Sequence, residues 1–274
     1  MSVEPSGESP ARQGIQSVEI AMTVLRALEE YAGPASLTQL ASLSGMQPSK
    51  VHRYLVSLGR VGLVSQSASS ALYDFGPAMR RLGAEALRRT DEVGLASDFL
   101  PELRDRTKHA VNLAVWGDHG PVVVRWDYGS YALPITVRVG ATLPLLTSSV
   151  GRVYLAHLPA TLTDPIIEAQ QPSAFSAKEI RRIKDDVLRE GIAVTSGGVI
   201  PGVTSVAAPV FTTGESLPLA VALALPERQA TPEVLSDVSA ALRETTSAMS
   251  AEIGHQADAY ARPRSANRAR RSAG

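Results

Sequence analysis

The sequence has no cysteine, and that absence excludes a good deal. Without thiols there is no disulfide framework, zinc ribbon, iron–sulfur centre or thiolate nucleophile, a pattern that also fits a reducing compartment. Neither sign of charge is in surplus: 27 basic side chains meet 27 acidic ones. The chain as a whole is therefore neither a histone-like polycation nor an acidic solubiliser, although local patches stay open. Long hydrophobic runs are missing too. The longest purely apolar stretch, 217–225, falls far short of the roughly 20 residues a spanning helix requires. The uncharged stretch 192–214 is broken by glycine and proline and reads as strands and turns. The first ten residues, MSVEPSGESP, are polar and acidic, unlike a secretory signal. These readings predict a soluble, cytoplasmic protein with no membrane partner.

Signatures of catalysis are scarce as well. There is no Gly-x-Ser-x-Gly elbow, no Walker loop and no Gly-x-Gly-x-x-Gly after a strand. His109 and His119 have no metal-ligand partner at helical spacing, His157 sits late in a helix beside Pro159, and Asp185 with Asp186 reads as a solvated helix pair. No catalytic residue, no metal site and no cofactor is expected.

What is present is a globular chain of 274 residues, 44% apolar and 20% charged, long enough for about two domains. Residues 1–14 mix Ser, Pro, Gly and Glu and read as a disordered lead-in. Residues 256–274 read as a basic disordered tail, with Arg262, Arg264, Arg268, Arg270 and Arg271 and no acid after Ala261. That tail is either a solvated terminus or an extra phosphate contact.

Between the ends the periodicity is helical first. Ala21, Val24, Leu25 and Leu28 make one stripe behind an N-cap at Ser17, up to Gly33-Pro34. Ser36 with Gln39 three residues on is a capping box, and Leu37, Leu40, Ala41 and Leu43 follow it as far as Gly45. Pro48 opens a third helix, tolerated at the first position because its missing N–H has no partner there; Val51, Tyr54, Leu55 and Leu58 are its buried stripe. Leu63 and Val64 pair with Leu72 and Tyr73 around a serine-rich turn at 65–70. A helix from Gly76-Pro77 to about Arg89 carries Met79, Leu82, Ala86 and Leu87 on one side. Beyond Asp91 the texture turns mixed. One helix reaches His109, strands are predicted at 111–117, 121–128 and 133–139, and helices at 148–158 and 176–190, the latter with a Ser176–Glu179 capping box. Strands at 203–211 and 218–225 and a helix near 232–254 complete the chain.

Two short helices joined across Gly45 make a helix-turn-helix pattern. Ala41 is small where the helices approach, Gly45 allows the positive φ of the turn, and Val51 locks the second helix inward. With Val51 inside, Ser49, Arg53 and Arg60 face outward, flanked by Lys50 and His52 and preceded by Gln47. Such a helix suits the major groove: arginine pairs with guanine, lysine reaches phosphate, and helix amides accept phosphate oxygens. A solvated face on an ordinary three-helix domain is the alternative, and His52 fits stacking on the wing as well as a DNA contact.

Taken together these residues resemble the isocitrate-lyase-regulator (IclR-type) bacterial transcription factors. The resemblance runs from IQSVEIAMTVLRAL through LTQLASLSGMQPSKVHRYLVSLGRVGLVSQS to YDFGPAMRRLG. It continues more weakly through PLLTSSVGRVYLAHLP, LREGIAV, PGVTSVAAPVF and LPLAVALALP. It implies an α+β chain: a winged helix-turn-helix at 15–76, a linker helix at 77–90 and a GAF-like α/β effector-binding domain at 91–255. It also implies a homodimer or dimer of dimers on double-stranded operator DNA, with a small-molecule effector modulating that binding. The wing tip at 65–70 has no Lys or Arg, where the family usually places a charge. For the effector, the resemblance transfers backbone amides at Ser149 and Val150 as the receiver of an anionic group; capping of that helix by Thr147 or Ser148 is the plainer reading. Ser205 falls where some relatives have cysteine, Ala222 and Ala224 where some have serine, and Thr195 where a pocket acid is common. Each change removes polarity, which predicts a ligand less polar than a small keto acid, an aromatic or hydroxylated ring compound. Trp116, Trp126, Tyr128 and Tyr131 are either a wall for it or ordinary packing. A metabolite sensor whose helix-turn-helix contacts protein instead of DNA is the competing reading of the whole chain.

Overall fold

The computed structural model describes residues 14–31, 33–133, 137–170, 175–213 and 218–255, with Leu87 as backbone only. The lead-in before Gly14 and the basic tail at 256–274 lie outside those residues. The chain divides into two compact units, Met1–Arg89 and Thr90–Gly274.

The first unit holds α1 (Gln16–Tyr31), α2 (Leu37–Ser44), α3 (Pro48–Arg60), the hairpin β1 (Val64–Gln66) and β2 (Tyr73–Phe75), and α4 (Pro77–Arg89). Local signals set most of its ends. Ser36 Oγ accepts from the Gln39 amide while the Gln39 side chain accepts from the Ser36 amide, so α2 starts in a closed capping box. Gly45 ends it at φ 64°, returning its N–H to Ala41 O, a left-handed conformation cheap only for glycine. Pro48 occupies the first turn of α3. Leu28, Leu40, Val51 and Leu55 close the core, each at most 2% exposed, and burying each such side chain contributes about 1.5–3 kcal/mol.

Four expectations shift here. Helix α1 begins at Gln16, so Ser17 is helical and does not cap. Leu43 is exposed because it lies two residues, about 200° of rotation, past the buried Ala41. The hairpin pairs Val64, Ser65 and Gln66 with Phe75, Asp74 and Tyr73, a residue or two later than the apolar dipeptides suggested, and Ala35 bridges Tyr73 as a third short rung. Of the α4 stripe, Met79 packs on the core and Leu82 and Ala86 are exposed.

The second unit is built on a five-stranded, wholly antiparallel sheet in the order β4-β3-β7-β6-β5. Its strands are β3 (Ala110–Gly117), β4 (Gly120–Asp127), β5 (Ala193–Ser196), β6 (Val203–Val210) and β7 (Leu219–Pro226). Helices α5 (Glu92–Ser97), α6 (Leu100–Thr107) and α10 (Pro232–Ile253) cover one face. Helices α7 (Ser149–His157), α8 (Ala160–Ala169) and α9 (Ala177–Glu190) belong to the other side, with α7 directly on the sheet.

Strand alternation makes the two faces chemically different. Towards α10 point Val111, Leu113, Val206, Val210, Leu219, Val221 and Leu223. Towards α7 point Ala114, Ala207, Ala220 and Ala222, with Asn112, Ser205 and Ala224 in line with them. Small side chains on that face let α7 approach closely, and Tyr154 at its centre, fully buried, donates its hydroxyl to Ala114 O at 2.8 Å.

The single helix expected up to His109 is two, α5 and α6, separated at Asp98-Phe99. Pro101 in the first turn of α6 cannot donate an amide and disfavours a continuous helix before it. Residues 133 and 137–139 form no strand, and 134–136 lie outside the described residues. Helix α8 was not expected: it has Pro165 inside it and no side-chain cap.

Candidate functional site

In the first unit, α3 turns Val51, Leu55 and Leu58 inward. Ser49, His52, Arg53 and Arg60 are exposed on the opposite side, Gln47 is exposed at its start, and Lys50 is half-buried. Lys50, Arg53 and Arg60 make no ion pair with any described residue. Gln47 occupies the N-cap without a side-chain cap, so the helix offers its N-terminal dipole uncovered beside these cations. All six residues singled out from the sequence thus lie on or before one helix. The hairpin tip is different in kind: Ser67 and Ser69 hydroxyls lie 3.1 Å apart, the Ser70 amide donates to Ser67 Oγ, and Gln66 Nε2 donates to Ala71 O. Its polar groups bond within the turn.

In the second unit a cavity of about 50 Å³ opens beside the N-terminus of α7, several times the ~10–15 Å³ one water occupies. Its floor comes from strands β3, β4, β5, β6 and β7 through Asn112, Trp126, Thr195, Val203, Ser205 and Ala224. Val137, Leu143, Ser148, Ser149, Val150 and the 198–200 loop close it. Ser148 is the N-cap of α7: its Oγ accepts from the Gly151 amide at 2.8 Å and donates to Pro144 O at 2.6 Å, while its carbonyl accepts from the Arg152 amide. Capping therefore accounts for the third and fourth amides of the helix, and among the described residues no backbone carbonyl accepts from the Ser149 or Val150 amide. Both residues are at most 2% exposed. Two buried N–H groups at the positive end of a helix have the chemistry to accept a carboxylate or similar anion. Beside them the hydroxyls of Ser149 and Ser205 lie 2.7 Å apart.

Glycine at 151 is what lets this corner form. A Cβ there would sit 2.2 Å from Pro144 O and 2.6 Å from Leu145 Cα, so the helix crosses the preceding segment backbone to backbone. The Arg152 guanidinium, its pKa lowered by burial, is occupied structurally, donating to Leu146 O at 2.8 Å.

Six of the residues expected in the pocket line the cavity: Trp126, Ser149, Val150, Thr195, Ser205 and Ala224. Three do not. Ala222 is buried in the core cluster that includes α7; Trp116 packs on Tyr154 at 5.4 Å; Tyr128 is 62% exposed with its ring 6.3 Å from Trp126. Tyr131 stacks on His109 at 5.2 Å, outside the lining. Asn112, Ser148, Val137, Leu143, Val203 and the 198–200 loop were missed. Asn112 alone gave a signal, a polar side chain inside the apolar run AVNLAVW.

Among the described residues no group of three or more His, Cys, Asp or Glu side chains is placed to hold a metal. No described helix is long and apolar enough to cross a membrane.

Comparison with known proteins agrees with both halves. The family described as IclR helix-turn-helix domain matches residues 17–68, and Bacterial transcriptional regulator IclR C-terminal matches residues 84–251. The HTH-type transcriptional regulator XynR of Escherichia coli is 24% identical over 249 residues, 89% of this chain and 99% of that protein. The crystal structure of Pseudomonas aeruginosa HmgR is 32% identical with a TM-score of 0.81, covering 89% of this chain and 100% of the other. An IclR homologue from Microbacterium hydrocarbonoxydans, crystallised with 4-hydroxybenzoate, shares the fold at 19% identity and a TM-score of 0.52, over 86% and 98% of the two chains. With one description on the α3 unit and the other on the sheet unit, this chain belongs to the IclR family of bacterial transcriptional regulators, with a helix-turn-helix that binds DNA and a C-terminal effector-binding domain.

Proposed function

We propose that the chain is a cytoplasmic regulator, a homodimer or dimer of dimers, whose grip on double-stranded operator DNA is set by a small, weakly polar acid in the α7 cavity. In this reading 15–76 is the winged helix-turn-helix, 77–90 the linker helix and 91–255 the effector domain. Arg53 and Arg60 read base edges; Lys50 and the α3 amides hold phosphate; Gln47, Ser49 and His52 complete the contact. A two-fold dimer would meet half-sites about 34–36 Å apart or a multiple of it. The observation that carries the effector reading is the pair of buried amides at Ser149 and Val150, without a backbone acceptor among the described residues, on residues that line a cavity whose other walls are mainly apolar. They suit a carboxylate on an apolar body. The Microbacterium homologue was crystallised in complex with 4-hydroxybenzoate, a carboxylate on an aromatic ring.

Fluorescence anisotropy on DNA from the chain's own upstream region, at two salt concentrations and against a scrambled duplex, tests the reading. Salt-sensitive preference for the native duplex, shifted by an aromatic acid, supports it; coupling of about 1–3 kcal/mol is the usual range. Equal binding to both duplexes at every salt supports the protein-contacting alternative, which the uncharged, internally bonded wing tip favours.

A further inference from the structure

We propose that Val56 is a further specificity-determining residue of the DNA contact, its isopropyl group reading the C5-methyl of one thymine in each half-site. This rests on the α3 reading above. Of the large apolar side chains on α3, Val51, Leu55 and Leu58 are buried and Tyr54 is half-buried, whereas Val56 is 41% exposed. It belongs neither to the buried core of the first unit nor to the half-buried residues packed on that core. At about 100° per residue, Ser49, His52, Arg53 and Arg60 span an arc of about 100°, and Val56 falls near its centre. All five are exposed, and the first three with Val56 keep the i, i+3, i+4, i+7 spacing of one helix face.

The fold gives no reason for valine at this position. A β-branched side chain lowers helix propensity relative to alanine, and one left in water gains nothing from burial. Its neighbours on that face are the polar and cationic side chains of the proposed DNA contact. In the major groove the base edges offer hydrogen-bonding groups, and thymine alone adds a methyl. An isopropyl group against that methyl buries apolar surface on both partners. Against guanine, adenine or cytosine it covers donors and acceptors that it cannot satisfy. Val56 therefore selects for the one base that the arginines have no means of choosing.

Its place along the helix fixes where that thymine lies. Val56 is three positions from Arg53 and four from Arg60, so its Cβ is about 5–6 Å from each of theirs. Stacked base pairs repeat every ~3.4 Å. The thymine is therefore about one or two base pairs from the guanine that Arg53 reads. The Ser57 hydroxyl, at the edge of the arc, donates to Arg53 O at 3.1 Å, so it does not compete for the same base edge.

The test starts from duplexes that the full chain enriches from a random pool. Each thymine of the enriched site is replaced in turn by deoxyuridine, which keeps Watson–Crick pairing and removes only the C5-methyl, and affinity is read by fluorescence anisotropy. At least one position in each half-site should lose about fourfold, the worth of one buried methyl group. Val56→Ala, which preserves the helix and removes both γ carbons, should no longer distinguish thymine from deoxyuridine at that position. Its sensitivity at other positions and its salt dependence should match the parent's. Indifference of every position to the methyl, or a thymine preference that survives in Val56→Ala, overturns the role of Val56 while leaving α3 as the reading helix. An equal loss on enriched and random duplexes overturns it as well, because Val56 would then serve the fold or the assembly. Failure of the pool to enrich any sequence overturns the operator reading, and this inference with it.

Discussion

Replacing Gly151 by alanine adds one methyl group, and the structure says where it would go. The new Cβ would lie 2.2 Å from Pro144 O and 2.6 Å from both Leu145 Cα and Leu145 O, where unstrained carbon contacts start near ~3.5 Å. All three obstacles are backbone, so no side chain can swing aside. The start of α7 must retreat by about 1 Å, which strains or breaks the Ser148 Oγ–Pro144 O and Ser148 amide–Pro144 O bonds at 2.6 and 3.3 Å. Overpacking costs about 1–3 kcal/mol and each lost bond about 1 kcal/mol, giving a total of about 3–5 kcal/mol. For a unit of this size that lowers the melting temperature by about 10 °C. Scanning calorimetry of the full chain, following the transition of the sheet unit, reads this directly. Anisotropy on operator DNA should show affinity retained at low temperature and response to an acid effector lost, because the Ser149 and Val150 amides move with the helix. A variant melting within 2 °C of the parent with its effector response intact would refute the reasoning.

Arg53→Ala should weaken operator binding by about 5- to 150-fold and relax discrimination at one base pair. Lys50→Ala should weaken all duplexes alike and reduce the slope of log K against log salt by about 0.9; identical behaviour of the two variants would contradict the division of roles. Burial holds His109 and His157 below the ordinary imidazole value. The unfolded chain therefore takes up protons as pH falls through about 6.5 while the folded chain does not, and stability present above that pH is progressively lost below it. Melting temperature should drop from pH 7.5 to 5.5, and the double substitution His109→Gln, His157→Gln should flatten the drop; an unchanged slope would count against it. Leu40→Ala, at a fully buried position, should cost about 2–5 kcal/mol and abolish operator binding while titrations of the effector site stay normal.

What could be read from the sequence was what a few neighbouring residues decide. Ser36 with Gln39, Gly45 and Pro48 define α2 and α3 within thirteen positions, because capping and left-handed turns are short-range chemistry. Helix α8 escaped because its evidence is negative: no capping side chain, and a proline within. The cavity was half legible. The α7 corner is local, but the opposite wall is assembled from 137, 143 and 198–200, segments that nothing in the one-dimensional pattern brings together. Trp116 and Trp126 look alike in sequence. Which of them lines the cavity depends on a rung of the sheet, since Trp126 pairs with Asn112 and Trp116 with Pro121, beside Tyr154.

The division of the sheet into a bulky face and a small face has a bearing on how such a protein changes over generations. Val206 and Leu223 carry the cohesion of the domain, while Ser205 and Ala224, one step along the same strands, border the cavity. On the effector reading proposed above, a substitution at Ala224 or Ser205 reshapes what the regulator senses without loosening the packing under α10. Effects at positions that share no partners add nearly independently. On that reading sensory specificity is modular at the resolution of single residues, and laboratory selection for new effectors should concentrate its substitutions on every second position of β3, β6 and β7.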